Sequence, residues 1–220
     1  MSTRLIGIYS PAPQSGKTFA ATVLAHRGYQ PVSFAEPLKR MITEFLISFG
    51  YEKDQAIKLA WFDKTVVIQE FNASSRYLLQ TLGTQWGRDC VCEDIWIRAW
   101  KARVAKFDRV IVDDVRFPNE IEWIQSQDGV VIEVQRGQNP IWYQELVDNY
   151  DDYDFKYNLM DMFKVHESEW AWVGTKTKGL LSNHGTKEEL VDNVNILLTK
   201  LKNRDNVTNP NYEGVTNEVI

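Results

Sequence analysis

The stretch SPAPQSGKT (residues 10–18) lies between a short apolar run, RLIGIY (4–9), and a helical pattern, TFAATVLAHRG (18–28), which Gly28 closes. Gly16, Lys17 and Thr18 match the end of the phosphate-binding pattern G-x-x-x-x-G-K-[ST]. In that pattern backbone N–H groups wrap phosphates, the lysine reaches the outer oxygens and the hydroxyl sits on Mg²⁺. Pro11 stands where the pattern has its first glycine, and proline fixes φ and donates no N–H. The order strand, loop, helix gives the match its meaning, because the loop then feeds a helix N-terminus whose unsatisfied N–H groups and macrodipole attract an anion. The cradle reads as functional but altered, with Lys17, Thr18 and the helix N-terminus intact.

The same alternation continues outward. A second short strand near Pro31–Phe34 precedes EPLKRMITEFLISFG (36–50), a helix with Pro37 in its first turn and Gly50 past its end. From about Asp54 to Ala105 the chain reads as helices, including SRYLLQTLGTQWGR (75–88) and EDIWIRAWKARVAKF (93–107). RVIVDD (109–114) is a nearly continuous apolar strand ending in two carboxylates, the kind of run that buried parallel sheets carry. A helix starting near Pro118, a strand VVIEV (130–134), a short strand at Gly179–Ser182 and a helix KEELVDNVNILLTKLKN (187–203) come next. These elements predict an α/β fold of the P-loop NTPase type: three layers, a parallel five-stranded sheet and helices on both faces. One domain is expected over 1–202. Within it, 137–170 is crowded with Tyr, Trp and Asp and reads as a lid-like excursion, and 203–220 reads as a mobile polar tail.

Composition narrows the function. At 220 residues, with 44% hydrophobic and 25% charged residues, the chain has the make-up of an ordinary globular protein. A net charge of −5 argues against a general nucleic-acid binder and leaves small phosphorylated ligands open. Cys90 and Cys92 are too close in sequence to bridge readily, so reduced thiols in a cytosol fit best. The three histidines, His26, His166 and His184, show no metal-site spacing. No signal peptide is evident, and no window approaches the roughly 20 apolar residues of a membrane span.

Asp113 and Asp114 end one predicted strand, and Lys17 comes just after the end of another. Parallel strands bring such groups to one edge, where open α/β sheets bind ligands. A phosphate loop with a strand-end Asp is the apparatus of ATP and GTP enzymes, the hydroxyl and the acid holding Mg²⁺ directly or through water. The alternative is that the GKT residues simply open a helix and the acids cap the next one. Arg88 and Arg116 are the next candidates, since a guanidinium grips phosphate oxygens with two bonds where lysine offers a point charge. An ordinary surface or capping ion pair would use the same residue type.

DVRFPNE (114–120), FAEPLK (34–39), LLQTLGTQWGR (78–88), VIEVQR (131–136), HESE (166–169) and SNHGTKEEL (182–190) together resemble the deoxynucleoside monophosphate kinases of bacteriophages, within the P-loop nucleoside monophosphate kinase group. The resemblance covers most of residues 4–202. It implies transfer of the γ-phosphoryl group of ATP, with Mg²⁺, to a deoxynucleoside 5′-monophosphate, in the cytoplasm of an infected bacterial host. It leaves room for a homodimer, and implies neither nucleic acid nor membrane as a partner. Ser15, Gly16, Lys17 and Thr18 would contact the ATP phosphates, with Thr18 and the motif acid Asp114 toward Mg²⁺. Arg88 and Arg116 would hold the acceptor phosphate or stabilise the transferring one, Glu36 and Lys39 would lie beside the monophosphate, and Arg136 would wall the adenine or touch a lid.

Some features depart from that pattern or stay open. Residues 137–165 hold only Lys156 and Lys164 as cations, whereas lids of related kinases often supply arginines. HESE reads either as part of the site or as a helix start with acids in its first turn. Trp86, Trp96, Trp100 and Trp123 read as core; Trp142, Tyr143, Tyr150, Tyr153, Trp170 and Trp172 are open to stacking on a nucleobase or to an oligomer contact. Two other functions share these residues: a kinase of another small molecule, such as dephospho-coenzyme A, and a non-catalytic nucleotide binder with a decayed loop.

Overall fold

The apolar runs of the sequence form the central strands of a parallel sheet. The computed structural model describes residues 4–177 and 179–206. The chain begins β1 (Leu5–Tyr9), α1 (Lys17–Ala25), β2 (Gln30–Pro31), α2 (Glu36–Ser48), α3 (Lys53–Ile57), β3 (Val67–Ile68), β4 (Ala73–Ser74) and α4 (Ser75–Thr81). It continues α5 (Ile95–Val104), β5 (Val110–Val112), α6 (Pro118–Ser126), β6 (Val130–Gln135), α7 (Ile141–Asp148), α8 (Tyr153–Phe163), β7 (Gly179–Ser182) and α9 (Lys187–Asn206). Within the stretch read as one domain, two compact units separate: residues up to Val32 together with those from Lys106 onward, and Ser33–Ala105.

In the first unit five strands pair in the order β2-β5-β1-β6-β7, every pair parallel. Ile6, Ile8, Val130, Ile132, Val134 and Leu181 form one buried cluster with Ala20, Ala21, Val23 and Leu24 of α1 and Leu190, Val194, Leu197 and Leu198 of α9. On the opposite face Gly7 lets α6 approach: a Cβ there would lie 2.8 Å from Ile124 Cδ1. Both faces are therefore covered, which is why these strands are apolar throughout rather than alternating. A fully buried Ile6 or Leu24 contributes about 1.5–3 kcal/mol relative to exposure.

The stretch 137–170, read as a lid-like excursion, is largely helical, carrying α7 and α8. Asp152 caps α8 by accepting from Phe155 N at 2.9 Å. Trp142, Leu146, Leu159, Met160, Trp170 and Trp172 are buried, so these tryptophans pack, while Tyr150 and Tyr153 are exposed. Helix α9 continues through Asn206; residues 207–220 of the expected tail lie outside the described residues. Among the described residues no helix is long and apolar enough to cross a membrane.

The second unit is mostly helical, as expected, with two differences. β3 and β4 form a two-stranded antiparallel hairpin, and Lys58–Phe62 and Leu82–Val91 adopt π-helical turns continuing α3 and α4. Its core gathers Ile42, Leu46, Ala56, Ala60 and Ile68, with Trp61, Phe71, Leu78, Leu79 and Leu82 against them. Trp96 and Trp100 are buried as expected, whereas Trp86 is exposed.

Because the strands of the main sheet run parallel, the segments leaving the C-terminal ends of β1, β5, β6 and β7 meet at a single edge: the loop 10–16, Asp113 with Asp114, Arg136 and Asn183.

Candidate active site

Helix α1 begins at Lys17 with Gly16 at the preceding position, no side-chain cap and no acidic residue in its first turn. Its first N–H groups have no intrahelical acceptor, which suits an anion. The loop reaches this start through two left-handed residues, Gln14 (φ 56°) and Gly16 (φ 96°). Gly16 is required on two counts, since a Cβ would be strained at that φ and would lie 2.3 Å from Asn183 Nδ2. Asn183, itself buried, donates from Nδ2 to Ser15 O at 2.6 Å, and its backbone N donates to Gln135 O at 2.8 Å. The first half of the loop is pinned locally: Pro11 is buried, and Ala12 N donates to Ser10 Oγ at 3.3 Å. Pro11 thus sits in a loop held by Ser10 and Asn183 as well as by glycine.

Lys17 Nζ donates to Ser15 Oγ at 3.4 Å, and Ser15 is almost fully buried. Burial lowers the lysine's pKa, and the charge of Arg116 lowers it further, while Glu169 and Asp113 oppose them. Those four charged groups therefore share one neighbourhood. Thr18, in the first turn of α1, is exposed. Asp113 and Asp114, just past β5, are half-buried.

Arg116 is held at both ends. Its backbone N donates to Glu120 Oε2 at 2.7 Å, and Phe117 N donates to the same oxygen at 3.2 Å, so the buried Glu120 closes the N-terminus of α6. Its side chain pairs with Glu169 Oε2 at 2.7 Å and donates to Ser168 O at 3.0 Å, both through Nη1. Burial works against the guanidinium's charge, but Glu169, Asp114 and Glu120 outweigh it and raise its pKa. HESE is a short helix start that also meets Arg116: Glu167–Glu169 form a single 3-10 turn with both acids in it, and its N-cap, His166, accepts from Ser168 N at Nδ1.

The remaining candidates make other contacts. Arg136 is exposed just beyond β6. Glu36, Lys39 and Arg88 belong to the second unit. The two oxygens of Glu36 take Arg40, at 2.7 Å, and Arg103, so any contact with a substrate is made by a carboxylate already engaged. Lys39 Nζ lies 5.0 Å from the centroid of the Trp61 ring. Arg88 Nη1 donates to Gly83 O at 3.0 Å, and Trp96 Nε1 donates to the same carbonyl at 2.7 Å. Arg88 lies in the π-helical segment, a distortion that often marks function.

No family model matches the chain. Over 55 residues it is 42% identical to the deoxynucleoside-5′-monophosphate kinase of Escherichia phage T5, a match spanning 24% of this chain and 22% of the phage protein's length. Over 141 residues it is 31% identical to a protein of Acanthamoeba polyphaga mimivirus that bears the provisional name deoxynucleotide monophosphate kinase, and this match spans 56% of the chain and 69% of that protein. The chain belongs to the deoxynucleotide monophosphate kinase family. Solved structures similar to it include TT1252 from Thermus thermophilus, with a TM-score of 0.45, 16% identity, and coverage of 91% of this chain and 99% of that one. Dephospho-CoA kinase from Campylobacter jejuni gives a TM-score of 0.41 at 12% identity, covering 90% of this chain and 97% of that one. Likenesses at that level do not bear on function.

In this member of the deoxynucleotide monophosphate kinase family, sequence reasoning alone missed two groups at the sheet edge. One is Asn183, which the SNHGTKEEL block contained without assigning it a role. The other is a network at the end of β1: Tyr9 OH donates to Glu133 Oε2 at 3.1 Å and lies 2.9 Å from Thr177 Oγ1, with its ring 4.5 Å from that of Trp172. Burial raises the pKa of Glu133, and burial together with the Glu133 charge pushes Tyr143 up to about 12. Tyr9 and Glu133 stand in register on neighbouring strands, which period-two reading could pair only once β1 and β6 were known to be adjacent.

Proposed function

We propose that the chain transfers the γ-phosphoryl group of ATP to a deoxynucleoside 5′-monophosphate, giving the diphosphate and ADP. The observation that carries the reading is the start of α1: it has no side-chain cap and no acidic residue in its first turn, and Lys17 follows the left-handed Gly16 there, so unsatisfied N–H groups and a cation together favour an anion. Transfer between bound phosphates depends on alignment and charge neutralisation, with no strong general base needed. The family match supports the choice of acceptor class.

In this reading Ser15, Gly16, Lys17 and Thr18 take the ATP phosphates, and Arg116 takes oxygens of the transferring or accepting phosphate. Arg136 is the adenine-side residue; Arg88, Lys39 and Glu36 serve the monophosphate. Mg²⁺ fits the donors present. The Thr18 hydroxyl and the Asp114 carboxylate are hard oxygen ligands, and among the described residues no group of three or more His, Cys, Asp or Glu gathers to hold a metal alone. An ion that keeps waters and completes its shell with substrate phosphates suits such a sparse set. When bound, Mg²⁺ would neutralise charge on the phosphates.

Product identification tests the reading. The protein is incubated with ATP, Mg²⁺ and each common deoxynucleoside monophosphate in turn, with dephospho-coenzyme A as a further acceptor, and products are read by ³¹P NMR. A new β-phosphorus signal on at least one deoxynucleotide is the expected result. Phosphorylation of dephospho-coenzyme A alone would move the acceptor to another class, and no transfer to any acceptor would end the kinase reading.

A further inference from the structure

We infer that the turn His166–Glu169 is the positioning element of Arg116: Glu169 and the Ser168 carbonyl fix the guanidinium, and neutral His166 fixes the turn. The inference rests on the kinase reading for its catalytic consequence and on geometry for the rest. Glu169 and Arg116 pair at 2.7 Å, and Ser168 O accepts from the same Nη1 at 3.0 Å. Both contacts fall on Nη1, so Nε and Nη2 of the planar fork are the donors that the inference assigns to substrate oxygens. The backbone of Arg116 is held separately by Glu120. An arginine gripped at the backbone and at one side-chain nitrogen is pre-organised, and less entropy is lost when it takes a phosphate.

His166 controls the turn through one nitrogen. Nδ1 lies 3.2 Å from Ser168 N, which can only donate, and 3.0 Å from Ser168 Oγ. Nδ1 therefore accepts, the ring is neutral and its proton is on Nε2, which is buried with no hydrogen-bond partner among the described residues. A second proton would have to go to Nδ1. It would remove the acceptor that caps the turn and put a third positive charge beside Arg116 and Lys17. The charged groups facing the ring are Glu169 from its own turn and Arg116 from the β5–α6 connection; Lys17 of the phosphate loop, with Asp113, is the next layer through the same two residues. Burial lowers the ring's pKa from the ordinary 6.5 and Arg116 adds to this, against Glu169, so the neutral form holds at neutral pH. As pH falls through that lowered value the turn loses its cap.

The test uses the full chain and the variants Glu169→Gln, His166→Asn and Arg116→Gln. Glutamine keeps size and polarity at 169 but removes the charge; asparagine keeps an N-cap acceptor at 166 but does not titrate. Glu169→Gln is expected to lower kcat by about 10- to 100-fold with the KM for ATP changed less than about twofold, the mark of lost alignment rather than lost ATP binding. The fall in kcat between pH 8 and pH 5.5 is expected to shrink in His166→Asn relative to the parent. Parental kcat in Glu169→Gln, or an acid limb of unchanged depth in His166→Asn, would overturn the inference. If the parent transfers no phosphate, the kinase reading fails instead, and NMR titration of the His166 ring in the free protein then decides. A pKa lowered by Glu169→Gln and raised by Arg116→Gln supports the coupled turn; a pKa that neither substitution moves overturns it.

Discussion

Replacing Gly16 with alanine tests the geometry on which the loop at 10–18 depends. At φ 96° an L-residue is strained by about 1–2 kcal/mol. The new Cβ would also stand 2.3 Å from Asn183 Nδ2, 3.4 Å from its Cγ and 3.6 Å from Leu190 Cδ2. Asn183 is buried, so it can yield only by giving up its 2.6 Å bond to Ser15 O, and a lost buried hydrogen bond costs about 1–3 kcal/mol. Together these give roughly 2–5 kcal/mol, and at about 2–4 °C per kcal/mol for a chain of this size, a fall in Tm of about 10 °C. The informative step is a double-mutant cycle measured by thermal melts at fixed pH. Asn183→Ala alone should cost about 1–3 kcal/mol through Ser15 O. Combined with Gly16→Ala it should cost less than the sum by at least about 1 kcal/mol, because the smaller side chain removes the clash. Additive effects within about 0.5 kcal/mol would mean that Gly16 and Asn183 do not meet, and the account of how a loop with Pro11 is held would be wrong.

Two further expectations concern carboxylates. Glu120→Ala removes the acceptor for the backbone N–H groups of both Arg116 and Phe117 and should cost about 2–3 kcal/mol, read as a Tm drop; a drop under about 1 °C would refute a closing role for Glu120. For Glu133 the native pKa is raised by burial, so its stabilising contribution is fully present below the ordinary carboxylate value and is lost as pH rises through the raised one. Glu133→Gln, which cannot ionise, should therefore compare more favourably with the parent at pH 8 than at pH 4, and an equal Tm difference at the two pH values would contradict the burial argument.

The parallel sheet was legible because burial on both faces leaves no alternation to misread. RVIVDD and VVIEV announced β5 and β6, and Gly179–Ser182 is β7 at the expected residues. The hairpin β3–β4 was not legible, since two-residue strands carry no period. Nor were the π-helical turns, whose spacing in LGTQWGRDCV stays close to that of an α-helix. In the excursion, Asp152 before α8 was a usable cap signal that the surrounding aromatics obscured. The loop half Gly16-Lys17-Thr18 could be read locally because a helix start is a local event. The partners of that half could not: Asn183 lies 168 positions from Ser15, and Ser168 lies 52 from Arg116, distances that only the folded sheet edge closes.

The central claim, that the loop at 10–18 carries phosphoryl transfer, is tested most directly by acceptor-dependent ADP release in the parent and in Lys17→Ala at matched Tm. Loss of the half-buried ammonium should lower kcat by about 10²–10³-fold. A Lys17→Ala protein that folds as the parent does and releases ADP at the parental rate would contradict it.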